Sequence, residues 1–395
     1  MGPLSGIRVL DLSRILAGPY CSMILGDMGA EIIKVEIPGT GDDTRGYGPP
    51  FINGESAYFM SINRNKKSLT LDLKKPEAAE ILSGLIMKSD VLLENFRVGT
   101  MEKLGFGSDR VMEMNKRMIF ASISGFGSTG PAAKKPGYDL VIQGLGGLMS
   151  ITGFPETGPA KVGTSICDII SGIMAAQGIL LALYHREKSG EGQKVDISML
   201  DSIISLLTYQ AGIYFADGTV PGLSGNRHPT IAPYETFKTK NGLMNIAVGN
   251  DKIWKIFCEC IQRPDLASDP VFEKNAGRVG NYSRLKPVID SELSGKDTSE
   301  WMEIFEKSGV PAGRINSIKD VFEDGQVNSR GMVVDINHKK AGPIKLTGIP
   351  VKLSKTPGAV NLPPPVLGEH TEDVLKSVLG YSREKINELR SNKII

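Results

Sequence analysis

Histidine and cysteine are scarce, with four of each in 395 residues. Cys21, Cys167, Cys258 and Cys260 form no CxxC pair, and the histidines His185, His228, His338 and His370 stand far apart. No metal-ligand spacing results, so no metal site is expected. Charge of one sign is lacking too: 46 basic residues face 44 acidic ones, for a net charge of +2. That balance excludes a nucleic-acid binder driven by bulk charge. No run of about 18 apolar residues goes uninterrupted, so no membrane span is expected. The first nine residues have no hydrophobic signal region, since Arg8 and Asp11 come too soon. A GxGxxG fingerprint is also missing: the first strand leads into LAGP. These absences leave a cytoplasmic protein with reduced thiols, long enough for two or three domains.

What is present is alternation. IRVLD (7–11), EIIKVE (31–36), SLTLDL (68–73), VLL (91–93), MIFAS (118–122) and KVDISM (194–199) read as short buried strands. Helical runs lie between them, over 20–28 and 76–89 for example. The pattern predicts an α/β fold with a parallel, doubly wound sheet and ligands beyond the carboxyl ends of the strands. The loops there include LAGP, ENFR and SGFGSTGP. A hairpin over 234–247 and helices at 252–261, 283–293 and 299–306 predict a small α/β domain. The expected division is 1–225 for the first part of a large domain, 226–325 for the small one, and 326–395 returning to the large one. Arg64, Lys66, Lys67 and Lys74 cluster around the third strand. They read either as solvated surface or as a phosphate-binding rim.

The stretch KVGTSICDIISGIMAAQGILLALYHREKSGEGQKVDISML organises the rest. From Ile169 to Leu183 apolar side chains cover most of the circumference, which predicts a buried helix. Asp168 stands at its mouth. The ordinary reading of such an aspartate is an N-cap. The small neighbours Gly163, Thr164, Ser165 and Gly172 leave room for a ligand. A carboxylate there can also act as a covalent catalyst, attacking a carbonyl to form an acyl anhydride. Amides at the helix start would keep it ionised and stabilise an oxyanion. Cys167 beside it reads as structural.

The segments LDLSRILAGPYCSMILGDMGAEIIKVE, NRNKKSLTLDLK, ENFRVGTMEKLGFG, SGFGSTGP, PGYD, DIISGIMAAQGILLAL, KSGEGQKVDISMLD and PPPVLGEHT occur in order. With them the chain resembles the class III CoA-transferases, the formyl-CoA and carnitine CoA-transferase type. GDDTRGYGPPF, SINRNKKSLTLD and GNRHPTIAPYETFKTKNG are most similar to the succinyl-CoA:glutarate and succinyl-CoA:benzylsuccinate members. The resemblance implies a Rossmann-like large domain without a dinucleotide site, in an interlocked, ring-like dimer. It implies Asp168 as nucleophile. It places CoA against Leu16 and Ala17, against Leu71, Asp72, Leu73 and Lys74, against Asn95, Phe96 and Arg97, and at Lys103. Gly137, Tyr138 and Asp139 would face the acyl group, and Gly249 and Asn250 would form a closing loop. The acyl-CoA thioester is a substrate, and no prosthetic group is implied. Arg227 and His228 are candidates for the substrate carboxylate or are linker surface.

Departures from the family pattern concern polar groups. Leu16 replaces the glutamine of oxalate-specific members, which argues against oxalate. Ile37 replaces a basic residue after the KVE strand, and Pro136 a lysine, with Lys134 and Lys135 nearby. The expected activity is CoA transfer from succinyl-CoA, or a similar acyl-CoA, to a dicarboxylic acid such as glutarate or benzylsuccinate. The expected assembly is a homodimer, or a heteromer with a related chain in which this one is active. An alternative is a 2-methylacyl-CoA racemase of the same fold. That reaction needs an acid/base pair across the α-carbon. Tyr138 stands where racemases carry histidine, and a phenol of pKa near 10 is a poor base.

Overall fold

Six strands form one parallel sheet: β1 (Arg8–Asp11), β2 (Glu31–Glu36), β3 (Lys66–Thr70), β4 (Val91–Glu94), β5 (Ile119–Ser124) and β6 (Lys194–Ser198). In the computed structural model, which describes residues 2–395, their order is β6-β5-β4-β1-β2-β3. The chain runs outward from β1 to one edge and then, from β4, outward to the other. The order therefore reverses between β1 and β4, where doubly wound sheets place ligands. The strands β1 to β5 are mostly buried, as parallel strands covered on both faces must be, while the edge strand β6 leaves Lys194 and Asp196 exposed.

Helices cover both faces. Helix α1 (Ala17–Asp27) shares one core with Val9, Ile32, Leu93 and Ile123. Helix α2 (Ala78–Met87) lies on the other face with Leu10, Ile33 and Leu92. After helix α3 (Asp139–Leu145) comes α4 (Ile166–Ser189), which joins the α1 side. Its close approach needs Gly172, because a Cβ there would stand 2.6 Å from the Ala17 carbonyl oxygen. The α4 helix departs from expectation. Its buried stripe holds Cys167, Ser171, Ala175, Ile179, Ala182 and Arg186, mostly small residues. Leu181 and Tyr184 are 61% and 63% exposed, and Ile173 and Leu180 face outward as well. The helix is thus buried on one side only, because nothing in its own unit covers the other. By length and composition alone it is also long and apolar enough to cross a membrane. Core helices of globular proteins share that length and composition.

The first unit comprises Met1–Leu148, Val162–Gly212 and Gly325–Ile395. The second comprises Met149–Lys161 and Ile213–Asp324. The expected boundaries miss two features. The segment over 149–161 goes with the second unit, since Gly225 N–H donates to the Gly153 carbonyl at 3.0 Å. The second unit also begins at 213, within the helix Thr208–Asp217, and not at 226. Its antiparallel sheet contains β7 (Tyr234–Lys238), β8 (Leu243–Ala247) and β9 (Ala312–Arg314). Helices α5 (Asp251–Cys260), α6 (Tyr282–Leu293) and α7 (Thr298–Ser308) bury Trp254, Phe257, Trp301 and Phe305 in a stacked series. The α7 cap is Asp297 with Glu300 in a capping box, two residues before the expected Ser299 start. In the first unit, α8 (Thr371–Leu379) and α9 (Arg383–Ser391) return to the α2 face, as Val374, Leu375, Ile386 and Leu389 join its core.

Candidate active site

The loops leaving β1 and β4 are tied together at the point where the strand order reverses. Asn95 Oδ1 accepts from Arg14 N–H at 2.8 Å, and its Nδ2 donates to the Arg14 carbonyl at 2.7 Å. Asn95 is therefore neither a simple turn residue nor a free ligand group: its amide is spent on the neighbouring loop. The next residue, Ile15, has φ 70°. A β-branched residue in that left-handed region costs roughly 1–3 kcal/mol and persists only where its surroundings hold it. Here Asp42 Oδ1 accepts from Ile15 N–H at 3.2 Å.

Two fully buried lysines hold the same loop. Lys34 Nζ donates to the Ser13 carbonyl at 2.9 Å and lies 2.8 Å from Asp42. Lys66 Nζ donates to the Pro19 carbonyl at 2.8 Å and lies 3.6 Å from Asp11. Burial lowers the Lys66 pKa to about 7, with Asp11 pulling the other way. Burial opposes the charge on Asp42 as well, but Lys34 and the Thr44 hydrogen bonds bring it down to about 2. Arg64 is buried in the same region, with two nitrogens on Asp27 at 2.9 and 2.7 Å. Both expectations for Arg64 and Lys66, surface charge and phosphate rim, are thereby corrected: they are internal struts. Of that cluster, Lys74 lines a cavity and Lys67 pairs with Glu31 and Asp373.

Asp168 lies in the first turn of α4, whose N-cap is Ser165. The cap reading of Asp168 does not hold. Capping is done from a distance by Asp139, whose Oδ1 accepts from Cys167 N–H at 2.9 Å while Oδ2 accepts from Gln143 at 2.7 Å. Two carboxylates thus meet at one helix start. Burial first, and the Asp139 charge second, push the Asp168 pKa up to about 7. The expectation that helix-start amides would hold its pKa low is corrected. Those amides are occupied: Ile166 N–H donates to Thr164, Cys167 N–H to Asp139 and Ile169 N–H to Ser165. They are therefore not free oxyanion donors either. The Cys167 thiol, pushed up to about 12 by burial and then by Asp139 and Asp168, is inert as a nucleophile at neutral pH.

Asp168 opens on a cavity of about 180 Å³, lined also by Arg14, Ile15, Ala17, Asn95, Phe96, Arg97, Lys134, Lys135, Gly137 and Tyr138. The Gly137 Cα occupies space that a Cβ on Gly125 would need, 2.7 Å away, so two bare backbones cross to present Tyr138. A second, largely apolar cavity of about 340 Å³ is lined by Leu12, Arg14, Ile37, Leu71, Asp72, Leu73, Lys74, Phe96 and Leu104. Leu71 and Phe96 belong to the core and to cavity walls at once. Most of the expected contact residues therefore gather in the first unit. Leu16 is buried between Ile15 and Ala17, and Lys103 is exposed outside both linings. Gly249, Asn250, Arg227 and His228 belong to the second unit. There Asn250 caps α5, accepting from Ile253 N–H at 2.9 Å. Arg227 lies over the Tyr282 ring at 5.4 Å, and His228 packs on Tyr234 at 5.3 Å. No metal-holding group of His, Cys, Asp or Glu occurs among the described residues.

Sequence reasoning missed Tyr47 and Tyr58, whose rings meet edge-on at 5.5 Å. Burial and then the Asp168 charge push Tyr58 up to about 12, which places it in the field of that carboxylate. The only sequence signal was two aromatics within and just after a Gly/Pro-rich loop.

The family model for CoA-transferase family III matches residues 4–371. The chain belongs to CoA-transferase family III. The relatives named below are CoA-transferases, and this chain is a CoA-transferase. It is 40% identical to the succinyl-CoA:glutarate CoA-transferase of Mus musculus over 395 residues, covering 100% of this chain and 91% of that protein. It is equally 40% identical to the acetyl-CoA:oxalate CoA-transferase of Acetobacter aceti over 368 residues, covering 91% and 93%. A crystal structure of a CAIB/BAIF family protein from Brucella suis superposes with a TM-score of 0.85 at 38% identity, covering 95% of this chain and 99% of that one. Within the family, overall identity does not separate relatives named for glutarate from one named for oxalate.

Proposed function

We propose that this CoA-transferase moves CoA from succinyl-CoA, or a similar acyl-CoA, to a dicarboxylic acid such as glutarate or benzylsuccinate. The observation that carries the reading is Asp168 at the head of α4, in a cavity lined by Tyr138 and Ala17 that shares Arg14 and Phe96 with the apolar one. The Asp168 carboxylate attacks the thioester carbonyl, the C–S bond breaks, and an aspartyl anhydride forms with CoA thiolate leaving. The thiolate then attacks the aspartyl carbonyl, and the donor acid departs as carboxylate. The acceptor carboxylate attacks the resulting aspartyl-CoA thioester, again expelling thiolate. Attack of that thiolate on the acceptor's acyl carbon breaks the second anhydride and restores Asp168. The reaction is isoenergetic in bond type, so positioning and exclusion of water decide the rate.

The glutarate relative supports a dicarboxylate acceptor, and Leu16 in place of glutamine argues against oxalate. The racemase alternative lacks its base, because no histidine lines the Asp168 cavity. The test is a panel of dicarboxylic acids offered with succinyl-CoA in deuterated water, read by mass spectrometry. New CoA thioesters of five-carbon or larger dicarboxylic acids, without deuterium at the α-carbon of an added 2-methylacyl-CoA, are expected. Deuterium uptake without transfer would replace this reading by the racemase one.

We also propose that the working form is a cytoplasmic dimer of this chain or a pair with a related one. The four free cysteines suit a reducing compartment. The uncovered apolar face of α4, with Ile204 and Tyr209 exposed nearby in sequence, supports a second subunit as its cover. Sedimentation of this chain, alone and mixed with such a relative, should give a dimer that persists at micromolar concentration; a monomer under both conditions would contradict this.

A further inference from the structure

Two residues, Arg14 and Phe96, line both the Asp168 cavity and the apolar cavity. Arg14 is thus the one cation common to the two linings among the described residues. We infer that Arg14 binds the diphosphate of coenzyme A, an inference that rests on the CoA-transfer reading of this site. The reason is the order of groups in the ligand. Its thioester must reach Asp168, its flat base suits the apolar cavity, and the diphosphate is the segment joining the two halves. A dianion there has to pass the residues that the cavities share.

The surroundings of Arg14 fit that role. Its backbone is fixed on both sides by Asn95, at 2.8 and 2.7 Å, so the side chain starts from a rigid point. The guanidinium lies 5.6 Å from the Phe96 ring centre, and its one ion pair is to Asp43 at 3.4 Å. Both partners of that pair are about half exposed, with side chains 43% and 54% accessible. Such a pair holds little and yields readily to a doubly charged oxyanion. The other cations of the apolar cavity are less suited. Lys34 is fully buried and paired with Asp42. Lys74 stands beyond Leu71 and Leu73 on the loop after β3, outside the Asp168 lining. The position after β2, where a cation would be expected, is Ile37, 46% exposed. Arginine also offers two parallel N–H donors to phosphate oxygens, which lysine does not.

The test is calorimetric titration of wild type, Arg14→Ala and Arg14→Lys with CoA, with 3′-dephospho-CoA and, by displacement, with pantetheine. Arg14→Ala should weaken CoA and 3′-dephospho-CoA alike, by about 10- to 100-fold, the usual weight of charge-assisted hydrogen bonds. Arg14→Lys should fall between the two. Pantetheine, which carries no phosphate, should shift by less than about twofold. Three results would overturn the inference: CoA affinity unchanged in Arg14→Ala, a loss seen with CoA but not with 3′-dephospho-CoA, or an equal loss with pantetheine. Failure of the wild type to bind CoA would instead overturn the CoA-site reading beneath it.

Discussion

Replacing Asp168 by asparagine should abolish CoA transfer, lowering kcat by about 10⁴-fold or more, as loss of a covalent nucleophile does in other enzymes. The fold should survive. Asp168 is held at a raised pKa of about 7 by burial and by Asp139. A raised carboxyl pKa costs the native state stability progressively from its ordinary value, about 4, up to the raised one. The neutral amide escapes that cost, so Asp168→Asn should melt no lower than wild type at pH 8. The same shift sets the acid limb of activity. Only the carboxylate attacks, so kcat/KM for the acyl-CoA should fall about tenfold per pH unit below about pH 7. Asp139→Asn keeps an oxygen for Cys167 N–H but removes the charge, and should move that limb to lower pH. A limb that stays in place would assign the titration to another group.

The second large effect concerns stability. Lys34→Met leaves Asp42 buried without its partner and the Ser13 carbonyl without its donor. Breaking a buried pair on one side costs about 3–5 kcal/mol. Denaturant unfolding at pH 7 should show a loss of that size, and Lys34→Met with Asp42→Asn should recover part of it. Because the Asp42 pKa is lowered to about 2, its stabilising contribution is present above the ordinary carboxyl value and is lost as pH falls towards 2. An exposed-pair loss, below about 1 kcal/mol, would mean that the pair is not a strut of the loop.

The parts of this molecule that could be read from sequence are those set by neighbours in the chain. Strand patterns such as IRVLD and EIIKVE, and an aspartate opening a long apolar helix, need no distant partner to be recognised. What escaped depends on contacts far apart in sequence. Lys66 and Arg64 looked like surface charge because the carboxylate that holds Arg64, Asp27, lies 37 positions earlier. The Asp139 cap on α4 spans 28 positions, and the Asn95 clamp on Arg14 spans 81. Burial, and after it the Asp139 charge, reverse the expected pKa direction of Asp168. The α4 helix was misjudged differently: its composition demands cover on all sides, and its own unit supplies only half. The closing-loop expectation for Gly249 and Asn250 came only from resemblance, and the Asn250 side chain caps its own helix.

A covalent bond to one carboxylate is the centre of the proposed reaction. Wild-type enzyme incubated with succinyl-CoA and no acceptor, then quenched in acid, digested and analysed by mass spectrometry, should yield the peptide containing Asp168 with CoA attached as a thioester. The adduct should vanish on addition of an acceptor dicarboxylate and be absent from Asp168→Asn. Full turnover by Asp168→Asn, or an acyl-CoA adduct on any residue other than Asp168, would contradict it.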